Sequence, residues 1–335
     1  FIRSYKLSEY ALNDIYNLVR ILDDPKTEET KKNNTLRYIC SMFAELAYYH
    51  IPKWEIDAQK RVKLIPCQGY RSWIKDGGET IDLSAVTQSL DLPGFEVSTR
   101  SVVAVGRVVQ DKLFISVRGT AFLYDWRLNF RASPVAVDMG IIEDHWFIPY
   151  NRAHIVRFHG GFAYEAIRLF PLIKKTLNSL DYQNKEIYIC GHSLGGAVAA
   201  ILQELLRFNS HPAYIFGAPR YADLPAYFHR EQLPPVQTRR PVDIVPILPP
   251  RFMGYVDHPC ELSTDGTEYF DPEPYSQLFG DWLRWGKFLY DGFEPHDIEN
   301  YRKEIGLSAG LVDVDLPLIP FEQIKKNDLN SKQKN

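Results

Sequence analysis

The sequence predicts an α/β fold in which a mostly parallel central sheet carries helices on both faces. Two observations predict it. Short runs of β-favouring residues alternate with longer segments whose apolar residues recur at helical spacing, as in parallel sheets joined by crossover helices. The run at residues 187–190 is apolar without interruption, which is typical of a strand covered on both faces.

The first half of the chain begins with a long amphipathic helix. Apolar residues recur at helical spacing over residues 27–50, and Pro52 disfavours helix in the residue before it. Two strand-like runs, at residues 101–109 and 113–117, are separated by three polar residues and predict a hairpin. A second helical pattern follows at residues 164–180.

The second half alternates strand and helix until an aromatic segment interrupts it. The predicted segments are a strand at 186–190, a helix at 195–208, a strand at 213–216, a helix at 224–229, a strand at 235–242 and a helix at 297–305. After Pro250 the alternation breaks, and aromatic residues crowd residues 270–293. Because no Gly/Ser-rich or Pro-rich linker divides the chain, residues 1–321 are predicted to form one domain with an N-terminal helical segment. The polar residues 322–335 are predicted to form a tail.

The composition excludes several classes of protein. The 335 residues are 45% hydrophobic and 24% charged, as in ordinary globular proteins, and the net charge of −3 comes without a basic stripe. Nucleic acid is therefore not an expected partner. No apolar run of about 18 residues predicts a membrane-spanning helix, which leaves contact with a membrane surface open. The sequence begins at Phe1 and is uninformative about location, so the compartment stays unassigned, with secretion an open possibility.

One short motif carries the chemistry. In Gly191-x-Ser193-x-Gly195, a predicted strand runs directly into a predicted helix, and the tight turn requires residues that are nearly free of side chain beside the serine. This arrangement predicts a nucleophile elbow, with Ser193 at the carboxyl edge of the sheet. The alternative is that the short motif arose by chance or that the glycines mark only a turn.

A serine nucleophile needs a base and an orienting carboxylate, and both are sought downstream. Asp243 follows a strand-like run and precedes a proline-bounded loop, which predicts a carboxylate at the same edge of the sheet; the alternative is an Asx-turn residue. His296 and His258 compete as the base. His296 is favoured because a loop proline precedes it and a helical pattern follows it, and the alternative for either is a structural histidine.

Two backbone N–H groups are predicted to bind the oxyanion of an acyl-transfer intermediate. One belongs to Leu194, directly after the nucleophile, and the other to Thr120, at the end of an early strand. The alternative for Thr120 is an ordinary hairpin edge. This chemistry requires no metal or organic cofactor, and none is expected; the four cysteines have no metal-ligand spacing.

In chain order, the segments SVRGT, DW, FHGGF, GHSLGGAVA, FGAPR and VDIVPILPP, followed by a late histidine, resemble the class 3 lipase family, the fungal triacylglycerol lipase type of α/β-hydrolase. The resemblance covers about residues 36–305. It implies that Ser193 is the nucleophile, Asp243 the acid and His296 the base. It also implies that Thr120 and Leu194 are the oxyanion donors. It also implies that His159 is structural and that His258 is a non-catalytic histidine.

The chain departs from that family in two places. Between Thr120 and Asp125 only residues 121–124 are available as a lid, and the insertion at 260–294 is enlarged. Within the insertion, apolar residues at helical spacing predict either a movable cap or lipid-facing surface, or else side chains that pack on the core; these residues are Leu278, Trp282, Trp285 and Leu289.

The predicted function is a serine hydrolase of carboxylic esters, most of all a lipase that acts on acylglycerols, with a lipid ester as substrate and a lipid interface as a possible contact. A phospholipase or a polar-ester esterase is the alternative among enzymes, and a peptidase has only the triad in its favour. A hydrolase-like binding protein without turnover is the alternative outside enzymes, although the complete Ser, His and Asp set argues against it.

Overall fold

The computed structural model describes residues 7–49, 92–99, 102–119, 134–138, 155–179, 182–206, 211–228, 233–241, 243–269, 294–311, 314–316 and 318. Four predictions lie outside these residues: Thr120 as an oxyanion donor, the lid at 121–124, the aromatic helix within 270–293 and the tail at 322–335. Within the described ranges, no helix is long and apolar enough to cross a bilayer.

A seven-stranded sheet forms the centre of the fold, with a separate two-stranded hairpin beside it. The strands are β1 (Gly94–Ser98), β2 (Val103–Val109), β3 (Lys112–Val117), β4 (Pro134–Asp138), β5 (Ile155–His159), β6 (Glu186–His192), β7 (Tyr214–Phe216), β8 (Val236–Arg239) and β9 (Glu261–Ser263). The order in the large sheet is β1-β2-β3-β6-β7-β8-β9. Pairing is antiparallel from β1 to β3 and parallel from β3 to β9, whereas β4 and β5 pair antiparallel in the hairpin.

Within the described ranges, six α-helices surround the sheet: α1 (Glu9–Asp23), α2 (Glu29–Leu46), α3 (Gly160–Leu177), α4 (Leu194–Leu206), α5 (Leu224–Phe228) and α6 (Ile298–Ser308). Helix α1 begins where the Ser8 side chain accepts a hydrogen bond from the N–H of Ala11 at 3.1 Å. Helix α6 begins in the same way, because Asp297 accepts from the N–H of Glu299 at 3.2 Å. A short 3₁₀ turn, Ala47–Tyr49, extends α2 toward the carboxyl edge of the sheet.

The two faces of the sheet bury different side chains because successive residues of a strand point in opposite directions. Phe114 of β3 and Tyr188 of β6 pack in the core formed with α1, α2 and α6. Leu113 and Ile115 of β3, and Ile189 of β6, pack in the core formed with α3 and α4. Helices therefore cover both faces, and the predicted α/β class with a mostly parallel sheet is confirmed.

A buried ion pair joins α2 and α6 on one face of the sheet. Arg302 of α6 donates from Nε to Glu45 of α2 at 2.5 Å, and its Nη1 donates to the carbonyl of Val314 at 2.8 Å. Both side chains of the pair are almost fully buried. Burial raises the pKa of Glu45 in spite of the opposing charge of Arg302, whereas the pKa of Arg302 is raised by Glu45 in spite of its own burial.

Several predicted boundaries differ from the structure. The strand predicted at 235–242 is only Val236–Arg239, because the chain turns at once: the N–H of Asp243 donates to the carbonyl of Arg240 at 3.1 Å. The predicted insertion starts as sheet, since β9 pairs in parallel with β8. Strands β1, β4, β5 and β9 were not predicted, because they are short segments whose place depends on contacts distant in the chain. Helix α1 was also missed, although the cap at Ser8 and the spacing of Ala11, Ile15, Leu18 and Val19 are local signals of a helix.

Candidate active site

Ser193 stands on a strained turn between β6 and α4. Its φ is +58°, a left-handed value that residues with side chains rarely adopt. The neighbouring glycines are required by close approach: a Cβ on Gly195 would lie 2.6 Å from the carbonyl carbon of Arg118, and one on Gly191 would lie 2.6 Å from the carbonyl carbon of Gly195. The sequence therefore folds locally into the strand-turn-helix that the motif predicts, with Ser193 at the carboxyl edge of the sheet.

Asp243 and His296 meet at the same edge. His296 Nδ1 and Asp243 Oδ2 form a hydrogen bond of 2.8 Å, although the residues are 53 positions apart. The other carboxylate oxygen of Asp243 accepts from the N–H of Val245 at 2.9 Å. The side chain of Asp243 is fully buried, so these bonds replace the water that the carboxylate loses on folding.

The structure brings this pair next to the turn at Ser193. The N–H of Ser193 donates to the carbonyl of Phe216 at 2.9 Å, at the end of β7. The next residue, Gly217, has a φ of +53°, and a Cβ there would lie 2.7 Å from Asp243 Oδ2 and 3.2 Å from His296 Cε1. Asp243 follows β8 and His296 lies in the turn before α6, so the three predicted residues lie at one edge of the sheet.

Tyr301 is a site residue that the sequence did not indicate. From α6, its hydroxyl donates to Asp243 Oδ2 at 2.6 Å, on the same oxygen that binds His296. Burial, followed by the charge of Asp243 and this hydrogen bond, raises the pKa of Tyr301 well above its ordinary value. The phenol therefore stays protonated and remains a donor. The only signal in the sequence was its place one turn into the helix after His296.

His192 and Tyr48 form a second contact that the sequence did not indicate. The Tyr48 hydroxyl and Nδ1 of His192 share a hydrogen bond of 2.7 Å in the interior. The ring of His192 lies 4.5 Å from that of His296, at 32° between the planes. Burial, and then the neighbouring His296, lower the pKa of His192 well below its ordinary value, so its imidazole is neutral at neutral pH.

The structure describes only one of the two predicted oxyanion donors, Leu194. Leu194 is the first residue of α4, and the first N–H groups of a helix have no acceptor within it. Thr120 lies outside the described residues, but Gly119 before it packs against the turn: a Cβ on Gly119 would lie 2.7 Å from the carbonyl oxygen of His192 and 3.2 Å from Ser193 Cβ. The end of β3 therefore lies beside the predicted nucleophile.

The other two histidines named from the sequence lie in different surroundings. His258 packs edge-on against Tyr227, at 5.2 Å between ring centres, and its Nδ1 contacts the backbone of Cys260. His159 ends β5 and stacks on Phe162, at 4.0 Å between ring centres. It is His296, and not His258, that the fold joins to Asp243.

Among the residues that the structure describes, no cluster of three or more His, Cys, Asp or Glu side chains could hold a metal ion. Cys40 and Cys190 are buried and Cys260 is exposed, and all three are free thiols. Burial, together with the adjacent Cys190, raises the pKa of the Cys40 thiol well above its ordinary value.

A parallel sheet with helices on both faces, and a serine on a strand-turn-helix at its carboxyl edge, define an α/β-hydrolase. Residues 114–253 match the model of the family described as Lipase (class 3). The matched residues contain the predicted serine and aspartate, whereas His296 lies beyond them.

Three curated relatives share parts of the chain. The "Secreted mono- and diacylglycerol lipase 1" of Fusarium solani is 27% identical over 196 residues, 51% of this chain and 54% of that protein. "Phospholipase A1-II 1" of Oryza sativa subsp. indica is 28% identical over 173 residues, 47% of this chain and 40% of that protein. "Toxin TseL" of Vibrio cholerae is 38% identical over 66 residues, 18% and 10% of the two chains. The chain thus spans about half or less of the curated relatives that it matches.

Solved structures of fungal lipases are also similar. One crystal structure of a fungal lipase is 19% identical and covers 73% of this chain and 82% of its own, with a TM-score of 0.46. The Lip2 lipase of Yarrowia lipolytica is 17% identical and covers 71% and 80%, with a TM-score of 0.46. Because these identities are below 25% and the TM-scores below 0.5, the fold assignment depends instead on the strand order and on the turn at Ser193.

Proposed function

We propose that this protein is a serine hydrolase that cleaves carboxylic esters through an acyl-enzyme, with Ser193 as nucleophile, His296 as base and Asp243 as the orienting acid. One observation carries the proposal: the hydrogen bond between His296 Nδ1 and a buried Asp243 oxygen, formed beside a serine held at φ +58°. The carboxylate fixes the tautomer and orientation of the imidazole, which leaves Nε2 as the basic nitrogen.

The proposed reaction has two balanced halves. His296 Nε2 takes the proton of Ser193 Oγ as this oxygen bonds to the ester carbonyl carbon, and the same proton passes to the alcohol when the C–O bond breaks. Water then gives its proton to His296 and bonds to the acyl carbon, and the proton returns to Ser193 as the carboxylic acid leaves. The buried Asp243 carboxylate stabilises the imidazolium in both halves.

The negative charge on the carbonyl oxygen needs donors that are already in place. We propose the N–H of Leu194, at the start of α4, as one donor and the N–H of Thr120 as the other. Loss of one such donor typically costs about 3 kcal/mol of transition-state stabilisation. The packing of Gly119 against the Ser193 turn supports a second donor that comes from the end of β3.

The proposed substrate is an acylglycerol. The support is the family match and the relative from Fusarium solani, whose name is that of a secreted mono- and diacylglycerol lipase. Contact with a lipid interface and secretion are part of the same proposal. The relative from rice, whose name is that of a phospholipase A1, supports a phospholipid ester as the second candidate. Hydrolysis of dioleoylglycerol and of dioleoylphosphatidylcholine, presented in matched mixed micelles, separates the two candidates.

The direct test removes the nucleophile. We expect Ser193→Ala to lower the hydrolysis of p-nitrophenyl butyrate at least about 1,000-fold, because the remaining groups cannot form an acyl-enzyme. We also expect it to abolish labelling by a fluorophosphonate. The matched control is Ser41→Ala, since Ser41 is equally buried and its hydroxyl bonds only within α2, to the carbonyl of Tyr38 at 2.7 Å.

Equal hydrolysis by wild type and Ser193→Ala would overturn the proposal. A folded wild type that neither hydrolyses esters nor reacts with the fluorophosphonate would favour a hydrolase-like binding protein.

A further inference from the structure

The candidate base has a neighbour that the proposed chemistry leaves unused. His192 directly precedes Ser193, yet its side chain makes no contact with a carboxylate among the residues that the structure describes. Its ring lies 4.5 Å from the ring of His296 and 5.9 Å from that of Tyr301. The imidazole of His192 thus supports one face of the predicted base.

The partner of His192 comes from the other end of the chain. Tyr48 lies 144 residues earlier, in the 3₁₀ turn that extends α2, and its hydroxyl bonds to His192 Nδ1 at 2.7 Å. The two rings meet edge-on, with their centres 5.6 Å apart. The Tyr48 hydroxyl also lies where a Cβ on Gly119 would have to be, so it closes against the end of β3. One hydroxyl therefore lies between the residue that precedes Ser193 and the chain that follows β3.

The groups that face His192 explain why its imidazole stays uncharged. They are the Tyr48 hydroxyl, the His296 ring and the Tyr301 ring, and the Asp243 carboxylate lies beyond His296 and is bonded to it. None of these offers His192 a direct negative partner, and burial disfavours its charged form. A neutral ring beside His296 leaves the base able to accept a proton, whereas a charged ring would oppose it.

We propose that Tyr48 and His192 are a positioning pair for the candidate base: the Tyr48 hydroxyl fixes the His192 imidazole, and that ring supports the face of His296 so that its Nε2 can be directed at Ser193. The inference rests on the proposed function. It assigns to the two residues a role that acts through His296, and it predicts an effect on the chemical step and not on substrate binding.

The test is a kinetic double-mutant cycle with Tyr48→Phe, His192→Asn and the double variant. Phe keeps the ring of residue 48 without its hydroxyl, and Asn keeps a hydrogen-bonding group near the position of Nδ1 without the ring. With p-nitrophenyl butyrate and with active sites counted by a fluorophosphonate, we expect Tyr48→Phe to lower kcat per active site roughly tenfold, with KM within about twofold. The double variant should lose less than the product of the single losses, because the two residues act as a unit.

The matched control is Tyr214→Phe. Tyr214 is as buried as Tyr48, each with 5% of its surface exposed, but it lies at the opposite end of β7 from the Ser193 turn. This variant should keep the wild-type kcat.

Three outcomes decide the inference. A Tyr48→Phe variant with wild-type kcat per active site would overturn it, and so would a loss seen only in the number of active sites or only in KM. If the wild type is active, none of these results contradicts the proposed function. An inert wild type would remove both.

Discussion

At the scale of the residue, Asp243 is held by more donors than a triad requires. His296 and Tyr301 both bond to Oδ2, at 2.8 and 2.6 Å, and the N–H of Val245 bonds to the other oxygen at 2.9 Å. Because the carboxylate is fully buried, each donor helps to hold it in one orientation. Tyr301 is therefore a positioning residue that acts through the acid.

We predict that Tyr301→Phe lowers kcat for p-nitrophenyl butyrate roughly tenfold with little change in KM, because the charged acceptor loses one hydrogen bond, worth about 1.5–3 kcal/mol. The backbone N–H of Arg240 also loses its bond to the phenol, so a small loss of stability should accompany the kinetic effect. Steady-state kinetics and urea unfolding measure the two effects separately. A variant that is destabilised but has wild-type kcat would show that Tyr301 only packs.

At the scale of the element, α2 and α6 act together. Helix α2 leads to the turn that carries Tyr48, and α6 carries Tyr301, while Glu45 and Arg302 join the two helices in the interior. An ion pair of this kind adds little net stability compared with apolar residues, but the loss of one partner leaves an uncompensated charge inside the protein.

We predict that Glu45→Gln lowers the free energy of unfolding by about 3–5 kcal/mol, because the guanidinium of Arg302 then stays buried without its opposing charge. The matched control is Lys303→Gln on α6, the helix that carries Arg302. This variant removes a more exposed ion pair with Glu299, at 2.9 Å, and should lower the free energy of unfolding by less than about 1 kcal/mol. Urea unfolding followed by circular dichroism measures both. Equal losses of unfolding free energy in the two variants would contradict a strong contribution of the buried Glu45–Arg302 pair.

The sequence could predict those parts of the site that depend on local pattern. The turn at Ser193 follows from two glycines between an apolar strand and a helix, and the hairpin of β2 and β3 follows from its polar turn. Local context favoured His296 over His258 as the partner of Asp243, but it did not exclude His258. The contacts of Tyr48 and Tyr301 could not be predicted, because they join residues 144 and 58 positions apart through packing that no local pattern records.

At the scale of the whole molecule, the neutral His192 makes stability depend on pH. Its pKa in the folded protein lies well below the ordinary value of 6.5 that it recovers on unfolding. Between these two values the unfolded chain binds a proton that the folded protein does not, so stability rises with pH in that window and falls on acidification.

We predict that wild type loses unfolding free energy as the pH is lowered from 7 to 5, and that His192→Gln loses less over the same interval. Other titrating groups contribute to both proteins, so the measured quantity is the difference between their two slopes. Urea unfolding at a series of pH values gives it. Identical slopes would show that His192 is charged in the folded state or does not change its pKa on folding.

The order of the three candidate residues along the chain also bears on how the protein is made. Ser193 and Asp243 are far upstream of His296, and the Asp243–His296 bond spans 53 residues. During translation the serine turn can fold while its proposed base has not yet been synthesised. A nascent chain is thus expected to remain chemically silent until α6 emerges and docks on α2, which lies upstream of all three residues.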